Sequence, residues 1–439
     1  MSAMTAISDL QDPILIVGAG PAGLMAAGQV AERGARVVVL EKMARPARKL
    51  RITGKGRCNL TNTAEIQDWL ARFGPSGSFL RSSFARFFNT ELMDFFESLG
   101  VSLEVERGGR VFPKSGQATE VVDSLVKWVK RLGVELWTNR TVVSLQIEQN
   151  RVTGVTFKAT EGGADRGQQL EHVATRKVIV TTGGATYPAT GSTGDGFALA
   201  RAVGHRIEPI RPALVPLKIE PDLLSQLEGL HLKNVRVTVL VNESPGEALL
   251  GDMEFISSGA SGPVVLTLST DASQTLAAGQ NVEVSLDLKP GLHEAKLDQR
   301  LVRDFRDRGK EELHAVLGGL LPRQLIPVCL ARTGLVAKKP ANQITVSERA
   351  RLRTWLKDFR IVVTGTGSMH EALVTAGGVD TREVNPRTME SRLVSGLFFA
   401  GEVLDLCADT GGFNLQAAFS TGWMAGRAAV DRGQRSEDS

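Results

Sequence analysis

The sequence predicts an α/β fold: a Rossmann-like domain interrupted by a β-barrel-like domain that carries a small helical insertion. Three observations predict it. The chain opens with a strand, a glycine turn, a helix, a second strand and an acid in register. Its middle becomes β-rich, with apolar runs separated by Gly, Pro, Asn and Asp. It closes on another buried strand and a helix rich in Ala and Gly, which complete what the opening half begins. At 439 residues the chain exceeds one ordinary core. The composition shifts place the first part of the Rossmann-like domain at 1–205, the barrel-like domain at 206–292, the helical insertion at 293–358, the return to the barrel at 359–385 and the last Rossmann-like part at 386–439.

In the opening stretch, Ile14-Leu15-Ile16-Val17 is short, β-branched and bounded by glycine, the mark of a buried parallel strand. It runs into Gly18-Ala19-Gly20-Pro21-Ala22-Gly23. Gly18 permits the tight turn, Gly20 lets a pyrophosphate approach the backbone, and Gly23 lets the helix from Pro21 to Arg33 pack close to the strand. Pro21 and Ala22 belong to the same contact. Gly34 ends the helix and Val37 to Leu40 forms the next strand. Glu41, about twenty residues after Gly18, stands where a carboxylate accepts ribose hydroxyls and disfavours a 2′-phosphate. A glycine turn without a ligand is the bland alternative, but all the elements in register favour dinucleotide binding.

Hydrophobic residues make up 42% and charged residues 23%, ordinary values for a soluble globular protein. Cys58, Cys329 and Cys407 are far apart, odd in number and form no Cys-x-x-Cys pair, so neither a disulfide framework nor a metal site is expected. Met1 to Asp12 has no basic start or long apolar core, and no stretch approaches the ~18 apolar residues that span a bilayer. A cytoplasmic protein with no membrane partner is expected. The net charge of +4 is unevenly spread: Lys42, Arg45, Arg48, Lys49, Arg51, Lys55 and Arg57 meet no acid until Glu65. This run reads either as a solvated loop that partly neutralises cofactor phosphates or as a landing surface for a polyanion such as RNA. No RNA-binding signature accompanies it, which favours the loop.

Taken in order, the segment from Lys49 through Gly54-Lys55-Gly56-Arg57-Cys58-Asn59 to Asn62 is too rich in glycine and polar residues for a regular element. It follows the ribose-contacting acid directly, so Lys42, Lys49, Gly56, Arg57, Cys58 and Asn59 are candidate cofactor contacts. Arg57 and Lys55 would lower the Cys58 thiol pKa if they point at it; a buried, inert cysteine is the alternative. Ser82 to Leu99 carries apolar residues at helical spacing, as does Ala118 to Leu132. Val134 to Leu136, Val142 to Ile147 and Arg151 to Lys158 read as strands, the last two a hairpin around Gln149-Asn150. The buried strand from Lys177 enters Thr182-Gly183-Gly184, a second backbone approach to the cofactor, and Thr190 to Gly196 clusters amide donors before a helix from Phe197 to Val203. Val235 to Val241, Val264 to Leu268 and Val282 to Leu286 read as barrel strands. Ala295 to Phe359 reads as helical, broken at Pro322 and capped at Ser347, and Ile361 to Thr364 as the returning strand.

The closing stretch Gly396 to Ala400 is a buried strand ending in Gly401 and Glu402, whose carboxylate can accept from a polyol hydroxyl. Thr410-Gly411-Gly412-Phe413-Asn414-Leu415 leads into the last helix. Its N-terminus near Asn414 suits the negative charge that a reduced flavin places on its N1/C2=O edge. An opening dinucleotide site completed by a closing strand and helix fits FAD better than NAD. Gly365-Thr366-Gly367 lacks a third glycine, so a separate nicotinamide domain is not expected.

These blocks together resemble the BaiN-like flavoproteins, also called the aminoacetone oxidase family of FAD-binding enzymes, relatives of the glutathione-reductase-type flavin fold. Gly18 to Gly23, Lys49 to Asn62, Thr182 to Gly196, and Thr375 to Val379 running through Glu383 to Ser391 and on to Gly426 carry the resemblance over nearly the whole chain. Where members often show Phe-Thr-His, this chain has Phe255-Ile256-Ser257, so the histidine is absent. The resemblance implies FAD and hydride exchange at flavin N5, with members that reduce conjugated C=C bonds of steroids, reduce uracil in ribosomal RNA or oxidise small amines. The leading expectation is a reductase of a small-molecule C=C bond, with NADH or NADPH as transient donor. Cys58, Tyr187 and His370 are the candidate proton donors. An RNA-directed reductase would join Lys42 to Arg57 with Arg107, Arg110 and Lys114 into one basic face. An oxygen-using amine oxidase and a flavin-binding sensor without turnover are the remaining alternatives. The sequence assigns no oligomeric state.

Overall fold

The computed structural model describes residues 12–159 and 170–431. Most of the N-terminal stretch from Met1 to Asp12, read above for a leader, lies outside them. The described chain forms two compact units, one holding the residues up to Arg211 and from Leu373, the other Pro212–Ala372. No described helix is long and apolar enough to cross a membrane. The fold class is the expected one.

The first unit is built on a five-stranded sheet in the order Leu397–Phe399, Val178–Val180, Ile14–Val17, Val37–Leu40, Glu135–Trp137. Every pairing is parallel, and the strands are continuous apolar runs because helices cover both faces. Leu15, Ile16, Val39, Ile179 and Phe399 are fully buried. The opening helix Pro21–Ala31 lies against the closing helix Phe413–Asp431 with backbones in contact. A Cβ at Gly422 would stand 2.3 Å from Ala22 O, and one at Gly426 2.4 Å from Ala26 O. That approach sets the end of the chain beside its beginning.

The second unit is a closed barrel in the order Leu217–Ile219, Gly259–Ser261, Ser244–Ile256, His231–Val241, Val282–Asp287, Phe359–Thr366. Between its last two strands run the helices Glu294–Asp307, Leu313–Leu317, Leu325–Thr333 and Val346–Lys357. Four local expectations are corrected. Val264 to Leu268 is not a strand but the start of helix Pro263–Ala277. Proline at the first helical position starts it, and Val264, Val265, Leu268 and Ala272 form one buried helical face. The cap of the last inserted helix is Thr345, not Ser347: Glu348 N donates to Thr345 Oγ1 and Thr345 N to Glu348. The helical run from Ser82 is broken into Arg81–Phe84 and Asn89–Ser98, where Glu91 accepts from Phe88 N. The segment after Glu41 is partly helical, Arg48–Gly56, but leaves helical geometry at Thr53, Gly54 and Lys55.

Candidate functional site

The opening turn is closed on two sides and open on the third. A Cβ at Gly18, where φ is +102°, would lie 2.7 Å from Thr181 O, and one at Gly23 would lie 1.9 Å from Gly18 O. A Cβ at Gly20 would meet nothing within 4 Å. The free amides at the start of helix Pro21–Ala31 share this turn, so the chain offers an anion cradle of oriented N–H groups backed by the helix dipole. Ala22 lies in the first helical turn and touches the closing segment, since a Cβ at Gly401 would lie 2.9 Å from its own. The Glu41 carboxylate braces the turn, with Oε2 accepting from Ala19 N at 2.8 Å and Oε1 from Met43 N at 2.7 Å. Burial pushes its pKa up. Each oxygen keeps acceptor capacity for a hydroxyl.

A second polar group lies where distant segments converge. Lys49 Nζ donates to Glu402 Oε2 at 2.8 Å and Oε1 at 3.0 Å, and to Thr186 Oγ1 at 2.7 Å. Glu402 Oε1 also accepts from Thr375 N at 2.9 Å, and Thr375 Oγ1 accepts from Ala185 N at 2.8 Å. Gly184 is required here, because its Cβ would fall 2.1 Å from Thr375 Oγ1. Gly183 beside it has φ +74°, and Thr182 Oγ1 is buried without a hydrogen-bond partner. Lys42 reaches a different loop: its Nζ donates to Asp195 Oδ2 at 2.7 Å and to Thr193 Oγ1.

The closing helix is pinned to the Gly56–Asn62 segment. A Cβ at Gly412 would lie 2.5 Å from Thr61 O, and the Asn59 amide, oriented by its partners, donates to Thr61 O and accepts from Gly412 N, both at 3.1 Å. Asn414 holds the loop before the helix, accepting from Ala408 N at 2.9 Å and donating to Ala408 O at 2.8 Å. Leu415 is half-buried in its first turn. Gly56 has φ +84° and faces open space.

The three candidate proton donors fare differently. Cys58 is fully buried, and burial pushes its thiol up to about 12 despite a hydrogen bond with Thr53. Arg57 does not activate it: the guanidinium pairs with Glu106 and lies 4.3 Å from the centroid of the Phe112 ring. Tyr187 is half-buried beside Thr186, with φ +53°, and burial raises its phenol pKa. His370 is exposed and belongs to the second unit. Next to Ser257, the position without histidine, also in the second unit, Ser258 bonds Glu371.

Thr186 and Asp195, partners of Lys49 and Lys42, and Thr375, a partner of Glu402, were missed by sequence reasoning, because nothing in spacing ties residues so far apart. Cys407 was missed as well. It sits half-buried in the loop after Glu402, its thiol pushed up to about 12 by burial and then by Glu402, Asp409 and Asp405. The basic run also looks different in three dimensions. Lys42 pairs with Asp195, Lys49 with Glu402, Arg51 with Asp123 and Arg57 with Glu106, while Arg110 also approaches Glu106 at 3.6 Å.

The open amide cradle, the braced acid and the glycine-fitted closing helix fit the ADP part and the isoalloxazine edge of FAD, and with the fold they define a Rossmann-type flavoprotein oxidoreductase. The chain belongs to the family described as the HI0933-like protein Rossmann domain, which matches residues 12–428, and is an FAD-dependent oxidoreductase. It is 32% identical over 419 residues to the 3-dehydro-bile acid delta(4,6)-reductase of Clostridium scindens, covering 95% of this chain and 98% of the relative. It is 30% identical over 410 residues to the ribosomal RNA dihydrouridine synthase of Escherichia coli, covering 93% and 96%. Its fold is similar to that of the 3-ketosteroid delta1-dehydrogenase of Sterolibacterium denitrificans, with a TM-score of 0.53 at 13% identity over 96% of this chain and 99% of that one.

Proposed function

We propose that this protein is an NAD(P)H-driven reductase of a C=C bond conjugated to a carbonyl, acting on a small molecule. The supporting observation is the 32% identity, over almost the full length of both chains, to a relative named for reducing such a bond. FAD held here would supply the hydride chemistry that links NADH or NADPH to the acceptor. The chain's part is to hold and orient. Gly18, Gly20, Pro21, Ala22 and Gly23 receive the pyrophosphate, Glu41 the ribose, and the start of helix Phe413–Asp431 the flavin's electron-rich edge. Lys49 and Glu402 fix the segment from Thr182 to Thr186 against the closing strand. Tyr187, protonated at neutral pH, is the proton source we favour over buried Cys58.

The E. coli relative favours a second reading, reduction of uracil in ribosomal RNA, which is also hydride addition to a C=C bond conjugated to a carbonyl. Against it stands the pairing of four of the seven cations from Lys42 to Arg57 with Asp195, Glu402, Asp123 and Glu106. The deciding experiment reduces the purified holoprotein with dithionite and challenges it anaerobically with a steroid dienone or a ribosomal RNA transcript, and separately with oxygen. Fast reoxidation by the dienone alone supports the reading. Reoxidation by the transcript alone moves the assignment to RNA, and by oxygen alone rejects both.

A further inference from the structure

Two guanidinium groups elsewhere in the first unit have no anionic partner among the described residues. Arg387 and Arg392 are exposed and, with Asn385 and Pro386, line a cleft of about 390 Å³. Neither side chain makes an ion pair or hydrogen bond among the described residues, unlike four cations of the Lys42 to Arg57 run.

The hairpin that carries them is held rigidly. Val384 bridges Ser391, Asn385 N donates to Glu390 O at 2.8 Å and Met389 N to Asn385 O at 2.7 Å. Asn385 Oδ1 accepts from Arg387 N at 3.0 Å. Met389 is fully buried at φ +63°, a conformation that surrounding structure must enforce. At the feet of the hairpin stand Glu383 and Ser391, and the buried His205 ring bonds both, Nδ1 to Glu383 Oε2 at 2.9 Å and Nε2 to Ser391 Oγ at 2.8 Å. Ser391 Oγ accepts from Leu393 N and Val394 N, so its own proton goes to His205 Nε2 and the ring is neutral with its proton on Nδ1. Such a base fixes the backbone from which the two arginines project.

The second leg of the hairpin runs antiparallel beside strand Leu397–Phe399, with Glu390 bridging Phe398 and Phe399 N donating to Met389 O at 3.0 Å.

We infer that the Arg387–Arg392 cleft is a second anion site that binds a phosphate ester, with the two guanidinium forks taking the phosphate oxygens. Planar forks match phosphate bidentately, and the cleft volume exceeds one phosphate, leaving room for an attached sugar. The phosphate can come from a free nucleotide or from an RNA backbone. The inference stands apart from the reductase reading, because its test reads binding and not turnover.

The test is calorimetric titration of FAD-loaded, full-length protein with pyrophosphate and with a uridine oligoribonucleotide of about 12 nucleotides, at two salt concentrations. The variants are Arg387→Ala with Arg392→Ala, and a control of equal charge loss in the second unit, Arg303→Ala with Arg306→Ala, both exposed. The expected result is binding that weakens with salt, falls at least about tenfold in the cleft variant and is unchanged in the control. Binding of pyrophosphate alone would identify a nucleotide as the source, and tighter binding of the oligoribonucleotide an RNA backbone. No binding of either probe, or equal binding by wild type and cleft variant, would overturn the site.

Discussion

Lys49 Nζ lies 2.8 Å from Glu402 Oε2, joining residues from the two ends of the chain, with each side chain 20% exposed. The pair fixes the start of helix Arg48–Gly56 to the residue that follows the closing strand, and Thr186 and Thr375 complete its hydrogen bonds. Lys49→Met leaves a partly buried carboxylate without its cation. FAD should bind about tenfold or more weakly, and the double variant with Glu402→Gln should recover part of the loss, a coupling of about 1–3 kcal/mol. Flavin fluorescence titration of the apoprotein measures it.

The glycine turn separates folding from binding. At Gly23 an added Cβ meets backbone at 1.9 Å, so Gly23→Ala should destabilise the unit by several kcal/mol or prevent its folding. At Gly20 the same Cβ meets open space and φ is −78°, so Gly20→Ala should change stability by less than about 1 kcal/mol. Its cost should fall on FAD affinity, read by thermal unfolding of the apoprotein beside the same titration.

His205 makes the first unit acid-sensitive. Burial holds its pKa below the ordinary 6.5, outweighing the upward pull of Glu383. Between the folded value and 6.5 the unfolded chain binds more protons here, so the contribution of His205 is full above about pH 6.5 and is lost as pH falls through the folded value. His205→Gln should lower stability at pH 8 by about 1–3 kcal/mol. Its deficit relative to wild type should shrink by pH 5, which a series of melting curves against pH shows.

The proton donors separate by half-reaction. Tyr187→Phe should leave flavin reduction by the nicotinamide unchanged and slow acceptor reduction by about 10²–10⁴. Cys58→Ala should leave both steps within a fewfold, since the thiol is buried and stays protonated at about 12. Stopped-flow traces of each half-reaction distinguish them.

The parallel core was legible because Ile14–Val17, Val37–Leu40 and Val178–Val180 are β-branched runs followed by glycine or acid at set positions. The barrel was legible in three strands, His231–Val241, Val282–Asp287 and Phe359–Thr366, while the longest, Ser244–Ile256, went unread. Leu217–Ile219 and Gly259–Ser261 are too short for periodicity to register, and Val264 to Leu268 showed that an apolar run alone does not separate strand from buried helix. The basic run misled differently. Its charge is visible in sequence, but Asp123 and Glu106, which neutralise Arg51 and Arg57, come from elements that only folding brings near. The same distance hid Thr375 from Gly184 and Glu402, and His205 from Ser391.

The central claim is tested most directly by mixing the holoprotein anaerobically with NADPH and with NADH, following flavin absorbance near 450 nm, and then adding a steroid dienone. The account predicts rapid bleaching by at least one nucleotide and return of the absorbance as the C=C bond is reduced, one bond per flavin. Flavin that neither nucleotide bleaches, or that the dienone fails to reoxidise once reduced, would contradict it.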